Sequence, residues 1–141
     1  KQFNILKFRT MRTDTPHDAP THVLNDPKRW ITKVGGFLRK TSLDELPQLW
    51  DIFVGKLSLV GPRPLVASEL EMHYADTKDL FLSCKPGLTG YWQVCARNNA
   101  TYESGERQKM ELYYINNRSA WLDIKIIFMT FKAVFTKMGA K

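Results

Sequence analysis

The sequence predicts one helix-rich α+β domain. Its 141 residues suffice for a single domain with a buried core. Several segments have the apolar periodicity of amphipathic helices, and short apolar runs between turn-forming residues are typical of strands. No internal repeat and no interdomain linker divides the sequence. We therefore expect residues 1–141 to form one domain with a few short strands.

Four elements are predicted in the first half of the chain. Alternating apolar side chains predict a strand, and prolines with small polar residues predict the loop that follows it. Apolar residues at helical spacing predict two helices, and Gly35 and Gly36 weaken the first of them. In chain order these elements are a strand over 3–12, a surface loop over 13–29, a helix over 30–40 and a helix over about 45–53.

The second half is predicted to alternate turns and short strands with longer helices. The stretch "GKLSLVGPRP" predicts a turn, a short strand and a rigid bend over 55–64. The Pro86-Gly87 pair suits a type II turn before a second strand within 85–94. Apolar periodicity predicts three further helices, over 65–82, 103–117 and 120–138.

The composition indicates an anionic partner. Lys and Arg number 21 against 14 Asp and Glu, which gives a net charge of +7. A balance this basic suits nucleic acid, a phosphorylated substrate or an acidic membrane face. Cys84 and Cys95 lack CxxC spacing and the histidines are scattered, so we expect reduced thiols and no zinc site. No apolar run approaches the roughly 18 residues that span a bilayer.

Two adjacent acids, Asp44 and Glu45, lie in the stretch "RKTSLDELPQLW". Ser42 and Glu45 have the spacing of a capping box, but Pro47 would then disturb the helix beyond its first turn. With Asp44 as N-cap, Pro47 takes the third helical position, where no N–H bond is needed. The helix dipole would then lower the pKa of Asp44 and favour a carboxylate that acts as nucleophile or metal ligand. The spacing alone allows either a structural cap or an active site.

Basic side chains surround these acids in the sequence. Arg63 lies between two prolines in "GPRP", so a stiff bend presents a guanidinium that suits phosphate oxygens. An ordinary turn with an exposed arginine is the alternative. Phosphoryl chemistry needs several cations around few carboxylates, and the chain has no P-loop or dinucleotide motif. Arg39 and Lys40, four or five residues before the acids, have in isolation the pattern of a solvated face. The cations at other loop and strand ends are Lys7, Arg9, Arg12, Lys85 and Arg97.

The last predicted helix is strongly apolar. A helix of this kind is usually packed into a core, although a helix lying on an anionic membrane leaflet shows the same features. Lys125, Lys132 and Lys137 lie off the apolar face. That face carries Ile124, Ile127, Phe128, Phe131, Phe135 and Met138.

Six sequence blocks occur in an order typical of one enzyme family. They are "KFRTM" at 7–11, "LRKTSLDELPQLWDI" at 38–52, "SLVGPRP" at 58–64, "KPGLTGYWQV" at 85–94, "ARN" at 96–98 and "WLDIKIIFMTFKAV" at 121–134. From about Phe3 to its C-terminus the chain therefore resembles the bacterial sugar transferases. These are monotopic polyprenyl-phosphate glycosyl-1-phosphate transferases, which start capsule, exopolysaccharide and O-antigen assembly.

The resemblance implies a reaction and a set of roles. A sugar 1-phosphate, of a hexose such as galactose or glucose, would pass from a UDP-sugar to undecaprenyl phosphate with release of UMP. Asp44 would attack the β-phosphate to form a phosphosugar-aspartyl intermediate, and Glu45 would assist by metal binding or proton handling. Family members need Mg²⁺, which Asp44 and Glu45 would hold. The phosphates or the nucleotide would be bound by Lys7, Arg9, Arg39, Arg63 and Arg97.

The resemblance also implies a location. Family members begin with a hydrophobic segment that enters the membrane and turns back, and this sequence does not contain one. We therefore expect the catalytic domain of a longer protein, on the cytoplasmic side of the bacterial inner membrane. The helices over 65–82 and 120–138 are candidates for the membrane interface, and a homo-oligomer is compatible with the pattern. Cys95 departs from the small polar residue that many members carry before the "ARN" block.

Two other functions fit part of this pattern. A nucleic-acid-binding module predicts cations on one face or a recognisable motif, and the sequence has neither, so we expect no nucleic acid partner. A catalytically silent, membrane-associated scaffold of the same family would be expected to lose the acid pair or the rigid arginine. Asp44, Glu45 and Arg63 are all present.

Overall fold

The computed structural model describes residues 3–15, 26–96 and 101–136. It confirms the α+β class, with helices around a small parallel sheet. The α-helices are α1 (Lys33–Thr41), α2 (Gln48–Phe53), α3 (Ala67–Tyr74), α4 (Lys78–Leu82), α5 (Tyr91–Cys95), α6 (Glu106–Asn117) and α7 (Ala120–Phe135). The strands are β1 (Ser58–Val60) and β2 (Gly87–Thr89), and 3-10 turns cover Pro27–Trp30, Leu43–Glu45 and Ala75–Thr77.

The two strands pair in parallel and are joined through α3 and α4. Ser58 is opposite Gly87, and Val60 is opposite Thr89. A parallel pair requires such a crossover connection, which here is helical. Gly87 lies so close to the neighbouring strand that a Cβ on it would be 2.1 Å from the amide nitrogen of Gly61. The sheet therefore depends on glycine at this crossing point.

The core lies where α6 and α7 pack against the sheet and α4. Ser119 caps α7, since its side chain accepts a hydrogen bond from the backbone N–H of Leu122. On the core side of α7, the Thr130 and Thr89 hydroxyls are 2.8 Å apart, which ties this helix to β2. The buried apolar cluster consists of Val60, Tyr74, Phe81, Tyr114, Ile115 and Ile126.

The predicted strand over 3–12 is wrong. Residues 3–15, called the N-terminal segment below, run extended, and one isolated antiparallel bridge joins Met11 to Ile31. The segment bonds instead to separate partners, because Phe8 N–H donates to the Asp44 carbonyl and Leu6 N–H to the Asp51 carboxylate. No partner strand runs alongside it in the described part of the chain, so its alternating apolar side chains do not belong to a hydrogen-bonded β-ladder.

Three other predicted elements differ in extent. The helix predicted over 65–82 is two helices, α3 and α4, separated by the turn at Ala75–Thr77. The strand predicted within 85–94 ends at Thr89, and α5 follows it. The last helix ends at Phe135. Lys137 and Met138 of the predicted helix lie outside the described residues, as do residues 16–25 of the predicted loop.

The packing of α7 departs from the core interpretation. Ile126 is its fully buried residue, whereas Trp121, Phe128 and Phe135 are 77%, 71% and 82% exposed. Core packing of the predicted apolar face is therefore wrong for most of that face, which is exposed. Among the described residues, no helix combines the length and apolarity needed to cross a bilayer.

Candidate active site

The adjacent acids lie in the 3-10 turn Leu43–Glu45, called the acid turn below. Ser42 adopts a left-handed conformation, with φ of 58°, and ends α1 through a bond from its N–H to the Arg39 carbonyl. Its side chain makes no cap bond, and the residue before α2 is Pro47. Asp44 as N-cap of the following helix is therefore wrong. The left-handed residue redirects the chain and inserts a separate turn between the two helices.

The electrostatics of Asp44 also differ from the prediction. Burial raises the pKa of this half-buried carboxyl, and the negative charge of Glu45 raises it further. The nearby cations Lys7 and Arg39 act in the opposite direction. A lowered pKa was expected from a helix dipole, but Asp44 is not at the N-terminus of an α-helix. Its ionised form is consequently more basic than an ordinary aspartate.

The N-terminal segment brings Lys7 to the acid turn. The Lys7 ammonium is 3.0 Å from Oε1 of Glu45, and Phe8 N–H donates to the Asp44 carbonyl at 3.0 Å. One residue earlier, Leu6 N–H donates to Oδ2 of Asp51 at 2.9 Å. Asp51 is completely buried and forms an anchor for this segment from within α2.

Arg39 is placed by a close backbone contact. Its Nε donates to Oγ1 of Thr10 at 2.8 Å, and Thr10 is buried. The Thr10 backbone passes directly over Gly35 of α1, where a Cβ would be 1.9 Å from the Thr10 carbonyl oxygen. Gly35 therefore allows the N-terminal segment to cross the helix. The sequence suggested only that this glycine weakens α1.

The structure thus gathers Lys7, Arg39, Asp44 and Glu45 at one place. Arg9 is exposed on the same N-terminal segment. Arg97 lies outside the described residues. Arg12, another cation of this segment, pairs with its neighbour Asp14 at 2.8 Å.

Arg63 belongs to a second cluster, at the Pro62–Pro64 bend, called the Arg63 bend below. Its backbone N–H donates to Oε1 of Glu111 at 3.3 Å. Its guanidinium is exposed and lies 5.9 Å from the centre of the Trp92 ring. The buried Arg107 contacts the same Trp92 ring at 4.0 Å and the Tyr102 ring at 3.9 Å.

Glu111, which the sequence analysis missed, is the buried carboxyl of this cluster. It is 2% exposed, and burial raises its pKa to about 7 against the opposing effects of the Arg63 N–H and of the charges on Arg107 and Arg63. A signal existed in the sequence. Arg107 and Glu111 are four residues apart and share a helix face with the buried Tyr114 and Ile115.

A divalent cation fits the acid turn by donor chemistry. Among the described residues, no group of three or more His, Cys, Asp or Glu side chains is placed to hold a metal. Two adjacent carboxylates nevertheless suit Mg²⁺, which keeps several water ligands and binds through one or two carboxylates. The repulsion that raises the pKa of Asp44 beside Glu45 is also what a bound cation would relieve.

These features define a class of protein: two carboxylates beside two cations in a small α+β domain are suited to phosphoryl transfer. The model of the bacterial sugar transferase family matches residues 1–137, and the chain belongs to this family.

Three relatives illustrate the similarity. The chain is 51% identical to the undecaprenyl-phosphate galactose phosphotransferase of Salmonella typhimurium, over 99% of this chain and 32% of that protein. It is 44% identical to the UDP-galactose-lipid carrier transferase of Erwinia amylovora, with the same coverage of 99% and 32%. It is 40% identical to the UDP-glucose:undecaprenyl-phosphate glucose-1-phosphate transferase of Escherichia coli, over 97% and 31%. The chain therefore spans about a third of the length of each of these relatives.

Proposed function

We propose that this chain is the catalytic domain of a transferase that moves a hexose 1-phosphate from a UDP-sugar to undecaprenyl phosphate. The names of the relatives support a lipid phosphate acceptor and a galactose or glucose donor. The observation that carries the proposal is the half-buried Asp44 carboxylate beside Glu45, Lys7 and Arg39. The product would be the first lipid-linked intermediate of exopolysaccharide, capsule or O-antigen assembly.

In the first step, an ionised Asp44 oxygen attacks the β-phosphorus of the UDP-sugar. The bond between that phosphorus and the bridging oxygen breaks, and UMP leaves with the bridging oxygen. The sugar phosphate is now attached to Asp44 as an acyl phosphate. The raised pKa of Asp44 favours this attack, because a more basic carboxylate is a stronger nucleophile.

The basic residues bind the phosphates of the donor. Lys7 and Arg39 lie beside the nucleophile and oppose the charge that gathers as the diphosphate approaches. Arg63 offers a guanidinium from a stiff bend, and the exposed Arg9 and the Arg97 of the "ARN" block complete the set. Glu45 keeps Lys7 oriented through their ion pair.

Mg²⁺ is the proposed cofactor, with Asp44 and Glu45 as the residues that would hold it. A bound Mg²⁺ supplies Lewis-acid neutralisation of the diphosphate oxygens.

In the second step, a phosphate oxygen of undecaprenyl phosphate attacks the same phosphorus. The acyl phosphate bond breaks, Asp44 returns as a carboxylate, and the lipid diphosphosugar leaves. Both steps take place at the same phosphorus, where Asp44 is the nucleophile of the first step and the leaving group of the second. This ping-pong scheme requires that UMP can leave before the lipid reacts.

A lipid acceptor resides in a membrane, so we propose that the domain lies on the cytoplasmic leaflet of the bacterial inner membrane. The support is an exposed apolar stripe on α7, with lysines beside it at 125 and 132, in a chain of net charge +7. The stripe consists of Trp121, Ile124, Phe128, Phe131 and Phe135. Replacing Phe128 and Phe135 by serine should reduce binding of the protein to vesicles of anionic lipid, as measured by flotation.

The reaction is tested with the full-length protein in detergent, undecaprenyl phosphate, Mg²⁺ and a panel of UDP-sugars. We expect UMP release with one donor, and its loss in the Asp44→Asn variant. The donor that supports release names the sugar. Folded wild-type protein that releases no UMP with any donor would instead support a catalytically silent scaffold of the same family.

A further inference from the structure

Burying the carboxyl group of Glu111 in the domain core is energetically unfavourable. Its Oε1 accepts one hydrogen bond, from Arg63 N–H, and its Oε2 is buried without a hydrogen-bond partner among the described residues. A buried carboxylate with an unpaired oxygen destabilises a fold unless other contacts compensate. An apolar residue would pack the same space at lower cost. The position of this carboxylate therefore points to a role beyond packing.

The Arg63 bend has a single backbone donor, and Glu111 accepts it. Pro62 and Pro64 have no N–H, so Arg63 supplies the N–H of this three-residue bend. On its other side the bend is held by β2, because Gly87 N–H donates to the Pro62 carbonyl at 2.9 Å. The backbone that carries Arg63 is thus fixed from the sheet and from α6.

The Arg63 side chain lies beside a stack of planar groups. The Arg107 guanidinium is 4.0 Å from the centre of the Trp92 ring, and the Arg63 guanidinium is 5.9 Å from it. Arg107 also lies over Tyr102, whose ring is parallel to that of His73 at 3.8 Å between centroids. The two guanidinium groups near this ring repel each other, since burial lowers the pKa of Arg107 and the positive charge of Arg63 helps to lower it.

We propose that Glu111 is a positioning residue, which aims the Arg63 guanidinium at the phosphates of the donor by holding the Arg63 N–H. This inference rests on the proposed function, in which Arg63 binds the diphosphate. Glu111 itself touches no substrate. Its effect on the reaction is therefore expected to pass entirely through Arg63.

A double-mutant cycle tests this dependence in full-length protein in detergent. The variants are Glu111→Ala, Glu111→Gln, Arg63→Ala and the double variant Glu111→Ala with Arg63→Ala. Two quantities are measured: the dissociation constant of UDP, which needs no turnover, and kcat/KM for the UDP-sugar that supports UMP release. A positioning role predicts coupling between the two sites in both quantities.

We expect Glu111→Ala to weaken UDP binding and kcat/KM roughly 10-fold when Arg63 is present, and less than about 2-fold when Arg63 is alanine. Glu111→Gln keeps an acceptor oxygen for the Arg63 N–H and should recover part of the loss. Asp123→Asn is the matched control. The Asp123 carboxylate accepts a hydrogen bond from the Tyr114 hydroxyl at 2.8 Å, and replacing its charge by a neutral amide should weaken that bond and lower stability without changing UDP binding.

Additive effects of the Glu111 and Arg63 substitutions would overturn the positioning role, as would UDP binding that is indifferent to Arg63→Ala. A loss shared equally by Asp123→Asn would assign Glu111 a structural role. Coupling in UDP binding without turnover on any donor would uphold the positioning role while refuting the proposed reaction. Turnover with additive effects of the two substitutions would uphold the proposed reaction while refuting the positioning role.

Discussion

At the acid turn, the charged groups are half-buried or exposed, and the parts that place them are buried. Lys7 and Glu45 form a partly exposed ion pair, while Thr10 and Asp51 lie in the interior. Around the Arg63 bend an exposed group is likewise placed by a buried acid, because the Arg63 N–H donates to Glu111. The two acids differ in what they hold. Asp51 fixes the segment that carries Lys7, whereas Glu111 fixes the backbone of the cation itself and has a pKa raised to about 7. The comparison teaches that one domain can fix an exposed cation either through the segment that carries it or through the backbone of the cation itself.

Substituting Gly35 should have the largest effect, because it breaks the backbone anchoring of the acid turn. A Cβ at Gly35 would be 1.9 Å from the Thr10 carbonyl oxygen and would displace the N-terminal segment. We expect Gly35→Ala to lower the free energy of unfolding by on the order of 4 kcal/mol. Denaturant unfolding in detergent measures this change, and UMP release should fall with it.

The neighbouring glycine provides the control. Among the described residues, a Cβ at Gly36 would meet only the Ile31 Cγ2, at 4.0 Å, so Gly36→Ala should be neutral or stabilise the helix by about 0.5–1 kcal/mol. Equal losses in both variants would contradict a specific role of the crossing at Thr10.

The buried charge at the Arg63 bend should give a distinct dependence of stability on pH. The pKa of Glu111 is raised from 4.5 to about 7, so the folded state binds more protons than the unfolded state between these values. Stability from this group is fully present below about pH 4.5 and is lost as the pH rises through 7, by about 3 kcal/mol at most. Glu111→Gln should remove this slope in urea unfolding measured across that range. A slope unchanged in Glu111→Gln, or removed equally by Asp123→Asn, would contradict the assignment.

The buried acid of the other region acts by hydrogen bonding. Asp51 accepts the Leu6 N–H and lies 3.9 Å from the Lys56 ammonium. Asp51→Ala would leave the Leu6 donor unpaired and should lower the unfolding free energy by about 1–3 kcal/mol. Asp51→Asn keeps an acceptor and should lose less. If the two variants unfold alike, the hydrogen bond to Leu6 is not the anchor of the N-terminal segment.

The smallest change in stability is expected at Lys7. Its pair with Glu45 is partly exposed, so Lys7→Met should change stability by less than about 1 kcal/mol. UMP release should nevertheless fall on the order of 10-fold, because this cation lies beside Asp44, the proposed nucleophile. Arg12→Met removes the comparable exposed pair with Asp14 and should leave release unchanged. A loss of stability as large as that of Asp51→Ala would assign Lys7 to the fold.

The sequence predicted the acid turn better than its surroundings. The acid pair and the basic block around Lys7 were identified from motif and order, and both lie together in the structure. The N-cap role of Asp44 was wrong, because a left-handed Ser42 inserts a separate turn that residue spacing does not reveal. Gly35 was interpreted through helix propensity, since the chain that crosses it lies 25 residues earlier.

The Arg63 bend and α7 show where sequence patterns stop being informative. The sequence prediction did not single out the charged residues at 107 and 111, although their four-residue spacing puts them on one helix face. The contacts with Trp92 and with the Arg63 N–H show that this face is buried. For α7, a period near 3.6 residues identifies an apolar face but not whether protein covers it. The exposed Phe128 and Phe135 settle that point.

The most direct test of the central claim uses the full-length protein with a UDP-sugar and Mg²⁺ in the absence of lipid acceptor. Intact-mass measurement after rapid quenching should show one added sugar phosphate, with UMP released in equal amount. The adduct should disappear when undecaprenyl phosphate is added, should be absent from Asp44→Asn and should persist in Asp123→Asn. UMP release that occurs only with the acceptor and without any adduct, or an adduct that survives Asp44→Asn, would contradict a covalent role for Asp44.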